Sequence, residues 1–228
     1  MSTHNTLLAL DTSTATGLVV LIHQTRIYTR MQNEPREHNR FLLAMVEEVL
    51  LDANIRLQAV DAFCAGIGPG SFVGVRLGVS VIQGLAYAMA KPVYALSSLA
   101  LQAQAFFRQH PLYAEVVIAH DAKMQAVYLG AYRMQAARLT SIQPECLWCI
   151  QEPFDLQLSL PTVLSGNAAK LVASHTQVSA SVIPGQPAFT GTDLADLALN
   201  ALQSQAPLTP ELLQPIYLQD EGHWQKIS

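Results

Sequence analysis

Short, mostly apolar runs broken by polar turns open the chain and predict three successive strands. Thr6–Leu10, Gly17–Ile22 and Arg26–Met31 are short and separated by the turn sequences DTSTAT and HQT, so the chain opens as an antiparallel meander. Beyond Pro35 the period lengthens to that of a helix, from about Glu37 to Ala53. Phe41, Leu42, Met45, Val46, Val49 and Leu50 recur at helical spacing there, with Glu47, Glu48 and Asp52 on the other face. Val60–Ile67 then reads as a buried strand, Gly74–Ala90 as a helix, Pro92–Leu96 as a strand and Ser98–Arg108 as a helix. The predicted order is βββαβα followed by a further βα, an α/β pattern.

The second half repeats this opening. Val116–Asp121 (VVIAHD) followed by Ala126–Tyr132 (AVYLGAY) matches Leu7–Asp11 followed by Gly17–Leu21: an apolar strand ending in Asp, a polar turn, then another apolar strand. Such a match predicts a duplicated unit. Helices are expected at Asn167–Ala173 and Leu194–Leu202, after a proline-punctuated region from Pro144 to Pro161. The boundary is placed near His110 and Pro111, giving an N-terminal lobe over residues 1–110 and a C-terminal lobe over 111–214. Residues 215–228 begin with the apolar PIYLQD and are expected to pack back on the body.

Between the fourth predicted strand and its helix, Gly66 to Gly78 reads GIGPGSFVGVRLG, a specialised strand-to-helix turn. Ser71 is the natural N-cap, Pro69 fixes its own φ, and a glycine-lined loop lets another backbone or an anion approach free N–H groups closely. Two readings stand: a structural turn, or an anion site that includes Gly70 and Ser71. The segment is neither a P-loop, since no Lys-Ser or Lys-Thr follows, nor a GxGxxG fingerprint. Asp11, Thr12, Ser13 and Thr14 occupy the tip of the first hairpin, where they could hold a phosphate and a metal-bound water or simply satisfy turn backbone. Asp121 is the matching element of a nucleotide cleft, but Ala122, Lys123 and Met124 follow it in place of a DxGG-like loop, which argues against efficient ATP hydrolysis.

The helix after the glycine turn carries Arg76, Ser80, Gln83 and Tyr87 as its only polar side chains. Gly74 and Gly78 form one small-residue ridge, and Ser80, Gly84 and Ala88 another, on which a second helix can approach closely. Such a helix is either deeply buried within the chain or half buried against a partner.

Composition narrows the classes. Of 228 residues 13% are charged, with a net charge of −4, so the chain lacks the electrostatic footprint of an autonomous nucleic-acid binder. The N-terminus has no basic segment, apolar core and cleavage site, and the longest apolar stretch, Leu77–Ala90, is interrupted by Ser80, Gln83 and Gly84. No membrane span is therefore expected, and the expected location is the cytoplasm. Cys64, Cys146 and Cys149 cannot form a fully paired framework, and the CxxC at Cys146/Cys149 has no second ligand pair for zinc. No histidine stands in an HxxxH or HExxH pair, and no GxSxG elbow is present.

These segments together resemble the TsaB (YeaZ) family. LLALDTSTATGLVVL, PREHNRFL, GIGPGSFVGVRLGVSVIQGLA, IAHDAKMQAVYLGAY and PIYLQD occur in the order and spacing of that family. The resemblance implies the actin-like, Hsp70-like ATPase (ASKHA) fold with two duplicated βββαβα-type lobes. It also implies an accessory role in forming N6-threonylcarbamoyladenosine at A37 of tRNA, through pairing with the catalytic subunit TsaD and the ATPase TsaE. TsaD carries an HxxxH motif near the strand end after its glycine turn; here Tyr94–Gln102 (YALSSLALQ) has no histidine, so the chain resembles the non-catalytic paralogue. No catalytic residue, resident metal or cofactor of its own is expected; a nucleotide is possible in the complex, and tRNA contact is indirect. The family pairs through its N-terminal-lobe helices, which places Leu42, Met45, Val49, Val75, Val79 and Ile82 as expected contacts, with a homodimer when TsaD is absent. Val73 stands where the family usually has Thr, and Gln219 where it usually has Arg. The alternative is a stand-alone nucleotide-dependent kinase or ATPase of the same fold, using Asp11 and Asp121.

Overall fold

Two five-stranded sheets carry the fold, and both follow one plan. The computed structural model describes residues 6–33, 38–153, 162–175 and 180–218. β1 (Thr6–Asp11), β2 (Gly17–His23), β3 (Arg26–Gln32), β4 (Ala62–Gly66) and β5 (Val93–Leu96) form the first sheet in the order β3-β2-β1-β4-β5. β6 (Glu115–Lys123), β7 (Ala126–Gln135), β8 (Arg138–Cys149), β9 (Thr162–Gly166) and β10 (Ala180–Pro184) form the second in the corresponding order β8-β7-β6-β9-β10. In each, the first three strands are antiparallel and the last two add in parallel, as Leu8↔Leu21 and Ala9↔Cys64 show in one and Ile118↔Gly130 and Ile118↔Ser165 in the other. This is the doubled actin-like architecture.

Strict alternation splits each strand between two cores. Leu7, Ala9, Leu18, Val20, Ala62 and Cys64 face one way, and Leu8, Leu10, Val19, Leu21, Phe63 and Ala65 the other. On the second face lie α1 (His38–Asp52) and α2 (Phe72–Met89), side by side against the first sheet. On the other face, between the sheets, lie α3 (Ser98–Gln109) and α5 (Gly191–Ser204), and α4 (Ala169–His175) covers the far side of the second sheet.

The middle layer ties the halves together. α3, which ends the first sequence unit, packs on β6 and β7 of the second sheet, whereas α5, from the second unit, packs on β1, β2, β3 and β5. Arg108 near the end of α3 donates through Nε and Nη2 to Asp193 Oδ1 and Oδ2, at 2.8 and 3.0 Å. Asp193 also caps α5, its Oδ2 accepting from Thr190 N and Oγ1 at 2.7 and 3.0 Å. The chain returns once more: Leu208 pairs with Val93 at the edge of the first sheet, and Ile216 N donates to Ile67 O at 2.8 Å.

Three strands were not expected from the pattern. β8 runs through Pro144, inside the region read as irregular, and it is a half-exposed edge strand where a missing N–H costs nothing. β9 and β10 are five residues each, too short for alternation to register. Because Cys146 and Cys149 lie three apart on β8, their side chains leave on opposite faces, which removes the CxxC from metal or redox geometry. Burial raises both thiols, further from reactivity. α2 is longer than its apolar stretch suggested: it starts at Phe72 and reaches 18 residues with mean hydropathy 1.4, enough by length and composition to cross a bilayer. Its inner face is instead packed on the first sheet, and Gln83 Nε2 donates to Pro210 O at 2.9 Å.

Candidate functional site

The first hairpin and the glycine turn close on each other. β1 delivers Asp11, Thr12 and Ser13 to its C-terminal end, where all three are buried. Asp11 Oδ1 accepts from Ser13 N and Oγ at 2.9 and 2.7 Å, while Oδ2 accepts from Ser98 Oγ, at the start of α3, at 2.9 Å. Thr12 Oγ1 donates to Gly74 O at 2.7 Å, and Ser71 N donates to Ser13 O at 2.6 Å. Ser71 is the N-cap of α2, accepting from Gly74 N at 3.3 Å.

Here the glycines have a specific reason. A Cβ on Gly74 would stand 2.0 Å from Thr12 O, one on Gly70 2.4 Å from Ser13 O, and one on Gly66 1.9 Å from Asp11 Oδ2. The space an anion would need is thus filled by the chain's own hairpin, and the Ser71 amide is already donated. The geometry favours the structural reading of Gly70 and Ser71.

Asp11, Thr12, Gly70 and Ser71 are therefore brought together, and Asp121 is tied up elsewhere. Its carboxylate accepts from Lys123 N at 2.8 Å and pairs with the Lys123 ammonium, which holds it below the usual carboxylate range. Lys123, Met124 and Gln125 all adopt positive φ (66°, 50° and 62°), so the second hairpin also closes on itself. One turn along α3 from Ser98, Gln102 Nε2 meets His120 Nδ1 at 3.3 Å across the lobes, and burial lowers the His120 pKa. Among the described residues no three His, Cys, Asp or Glu side chains converge as a metal site requires. Sequence reasoning missed Ser98 and Gln102 because only folding brings α3 to both hairpins.

A second candidate surface is the outer face of α1 and α2, and it corrects the expected contacts. Leu42, Met45, Val49, Val75, Val79 and Ile82 are all buried against the chain's own first sheet, so none is available to a partner. The helical period was right and the face was reversed: the most apolar stripe covers the sheet. Pointing outward instead are Leu43 and Leu51 on α1, and Phe72, Val73 and Tyr87 on α2, exposed by 55 to 74%. The two small-residue ridges also divide. Gly74 and Gly78 face inward against Thr12 and Leu10, whereas a Cβ on Gly84 meets nothing within 4 Å and Ser80 and Ala88 are exposed.

At the start of this face, Arg76 lies 3.7 Å above the Phe72 ring and donates through Nε to Tyr217 Oη at 2.7 Å. The returning C-terminal segment thereby borders the surface. Gln219 lies outside the described residues.

The family model described as TsaD, tRNA N6-adenosine threonylcarbamoyltransferase, matches residues 31–214. A Haemophilus influenzae protein named tRNA threonylcarbamoyladenosine biosynthesis protein TsaB is 31% identical over 97% of each chain. Its namesake in Escherichia coli is 27% identical over 97% of each. The solved structure of YeaZ from Pseudomonas aeruginosa is 35% identical, covering 94% of this chain and 100% of its own, with a TM-score of 0.83.

Proposed function

This chain belongs to the TsaB family of tRNA threonylcarbamoyladenosine biosynthesis proteins, and we propose that it is the non-catalytic subunit that binds and organises TsaD. TsaD then transfers threonylcarbamoyl from its adenylate to A37. The observation that carries this reading is the outer face of α1 and α2, where Leu43, Leu51, Phe72, Val73 and Tyr87 stand exposed on two adjacent helices. An apolar surface of this kind seeks cover, and the open Ser80, Gly84 and Ala88 ridge admits a helix at close range. TsaE joins the assembly, tRNA is reached through the complex, and the protein works in the cytoplasm. In the absence of TsaD the same face pairs two copies of this chain.

The stand-alone kinase or ATPase loses support from both carboxylates it needs. Asp11 is engaged by Ser13 and Ser98, and Asp121 by Lys123. Reconstitution of tRNA modification from TsaD and TsaE, with and without this chain, tests the proposal. Modified adenosine is expected only when the chain is present; equal product without it removes the organising role.

A further inference from the structure

Away from the outer face of α1 and α2, a cavity of about 330 Å³ opens where the start of α3, the second sheet and the last turn of α5 meet. At this size, near the lower end for ligand cavities, the occupant is small. Leu96, Ala100, Leu139, Leu197 and Ala201 form an apolar wall, and Glu145 is the carboxylate among the lining residues.

Glu145 is held in place without being neutralised. Ser97 Oγ and Tyr132 Oη both donate to its Oε1. Ser97 is itself fixed as the N-cap of α3, accepting from Leu99 N and Ala100 N at 3.1 Å each. Among the described residues no cation pairs with Glu145. The β7–β8 register, with Gln135↔Arg138, Met134↔Leu139 and Tyr132↔Ser141, sends the Arg138 side chain off the strand face opposite Tyr132 and Leu139, away from the cavity. Oε2 takes no hydrogen bond among the described residues, and it is not sealed off, since the buried side-chain atoms without a partner there are Gln102 Oε1 and Ser165 Oγ. Burial raises the Glu145 pKa, as expected of a carboxylate short of a counter-charge.

The surrounding hydroxyls offer no protons. Beyond Ser97 and Tyr132, Thr140 donates to Arg133 O at 3.4 Å, Ser141 to Gln143 O at 2.5 Å and Ser204 to Asn200 O at 2.7 Å, so every hydroxyl proton among the lining residues is already committed. A ligand must therefore bring its own donors to Oε2. One carboxylate is too few for a metal ion, which takes several oxygen ligands at once, and the apolar wall suits a hydrocarbon chain better than a hydrated ion.

We propose that this interlobe cavity binds a primary alkylammonium ion, its N–H groups donating to Glu145 Oε2 and its hydrocarbon chain lying against Leu96, Ala100, Leu197 and Ala201. The wall belongs to the core between the sheets, on the face of the first sheet opposite α1 and α2, so the site stands or falls apart from TsaD binding.

Calorimetric titration of the intact chain at about pH 7.5, where an alkylamine is protonated, tests it with isopentylammonium chloride, isopentyl alcohol and potassium chloride. The ammonium is expected to bind, and the alcohol, of the same shape without the charge, to bind at least about tenfold more weakly. Potassium chloride should give no saturable heat. Glu145→Gln should weaken ammonium binding by about the same factor, with circular dichroism confirming that the variant folds; if it does not fold, the comparison of ammonium with alcohol on the wild type decides alone. No binding of the ammonium, equal affinity for the alcohol, a matching saturable heat with potassium, or unchanged affinity in folded Glu145→Gln overturns the proposal.

Discussion

At the residue scale, glycines on one helix do opposite work. Gly74 meets backbone: its missing Cβ leaves the 2.0 Å gap that Thr12 O occupies, and a carbonyl cannot rotate aside as a side chain can. Gly84 faces open space. Gly74→Ala should therefore cost about 1–3 kcal/mol by overpacking, while Gly84→Ala should gain up to about 1 kcal/mol from helix propensity. Urea denaturation of both checks this; shifts of the same sign would mean that the turn is not locked to the hairpin. Glu145 carries a pH signature. Burial, outweighing its two hydroxyl donors, raises its pKa above the ordinary 4.5. A carboxyl with a raised folded-state pKa binds its proton more tightly when folded, so it adds stability at low pH that is lost as pH rises through the raised value. The stability of the wild type relative to Glu145→Gln should fall as pH rises above 4.5, measured by denaturation across that window. Parallel profiles would show that burial does not govern this carboxyl.

At the scale of elements, α1 and α2 separate the face a helix turns to its own sheet from the face it leaves exposed. Val73 and Leu51 are 74% and 71% exposed, and Val79 4%. Val73→Glu and Leu51→Glu should leave the fold intact and weaken TsaD binding by about tenfold or more, measured by calorimetry. Val79→Glu should unfold the chain instead, because it places an unpaired charge in the core. The period of both helices was legible in the sequence, and so were the meander, the N-cap at Ser71 and the repeated strand-turn-strand. Which face turned outward was not, because Val79 and Val73 are chemically alike and only the sheet distinguishes them. β8 hid for a related reason: with most of one edge in solvent, its residues need not alternate. The contacts of Asp11 were half legible. Ser13 is two residues away, whereas Ser98 lies 87 residues on and arrives only through β4 and β5.

At the scale of the whole molecule, the duplicated halves share a core rather than merely touching. A single buried cluster runs from Leu7 and Val20 of the first sheet through Leu99 and Phe106 of α3 and Leu194 and Ala198 of α5 to Val116 and Ile118 of the second. Because each unit's last helix packs on the other unit's sheet, neither half can bury its own apolar face alone. Unfolding should be one cooperative transition despite the two-lobed sequence. Trp148 reports on the second sheet, so its fluorescence, read in a Trp224→Phe background, should coincide with far-ultraviolet circular dichroism across a urea titration. Arg108→Ala probes the clamp between α3 and α5 directly. It leaves the Asp193 carboxylate, 1% exposed, without its bidentate partner. Since the arginine itself is 39% exposed, the loss should be about 1–3 kcal/mol rather than that of a fully buried pair. Both probes should move to lower urea together, because the clamp belongs to the core that the two sheets share; a second transition appearing in either probe would show that the halves fold separately.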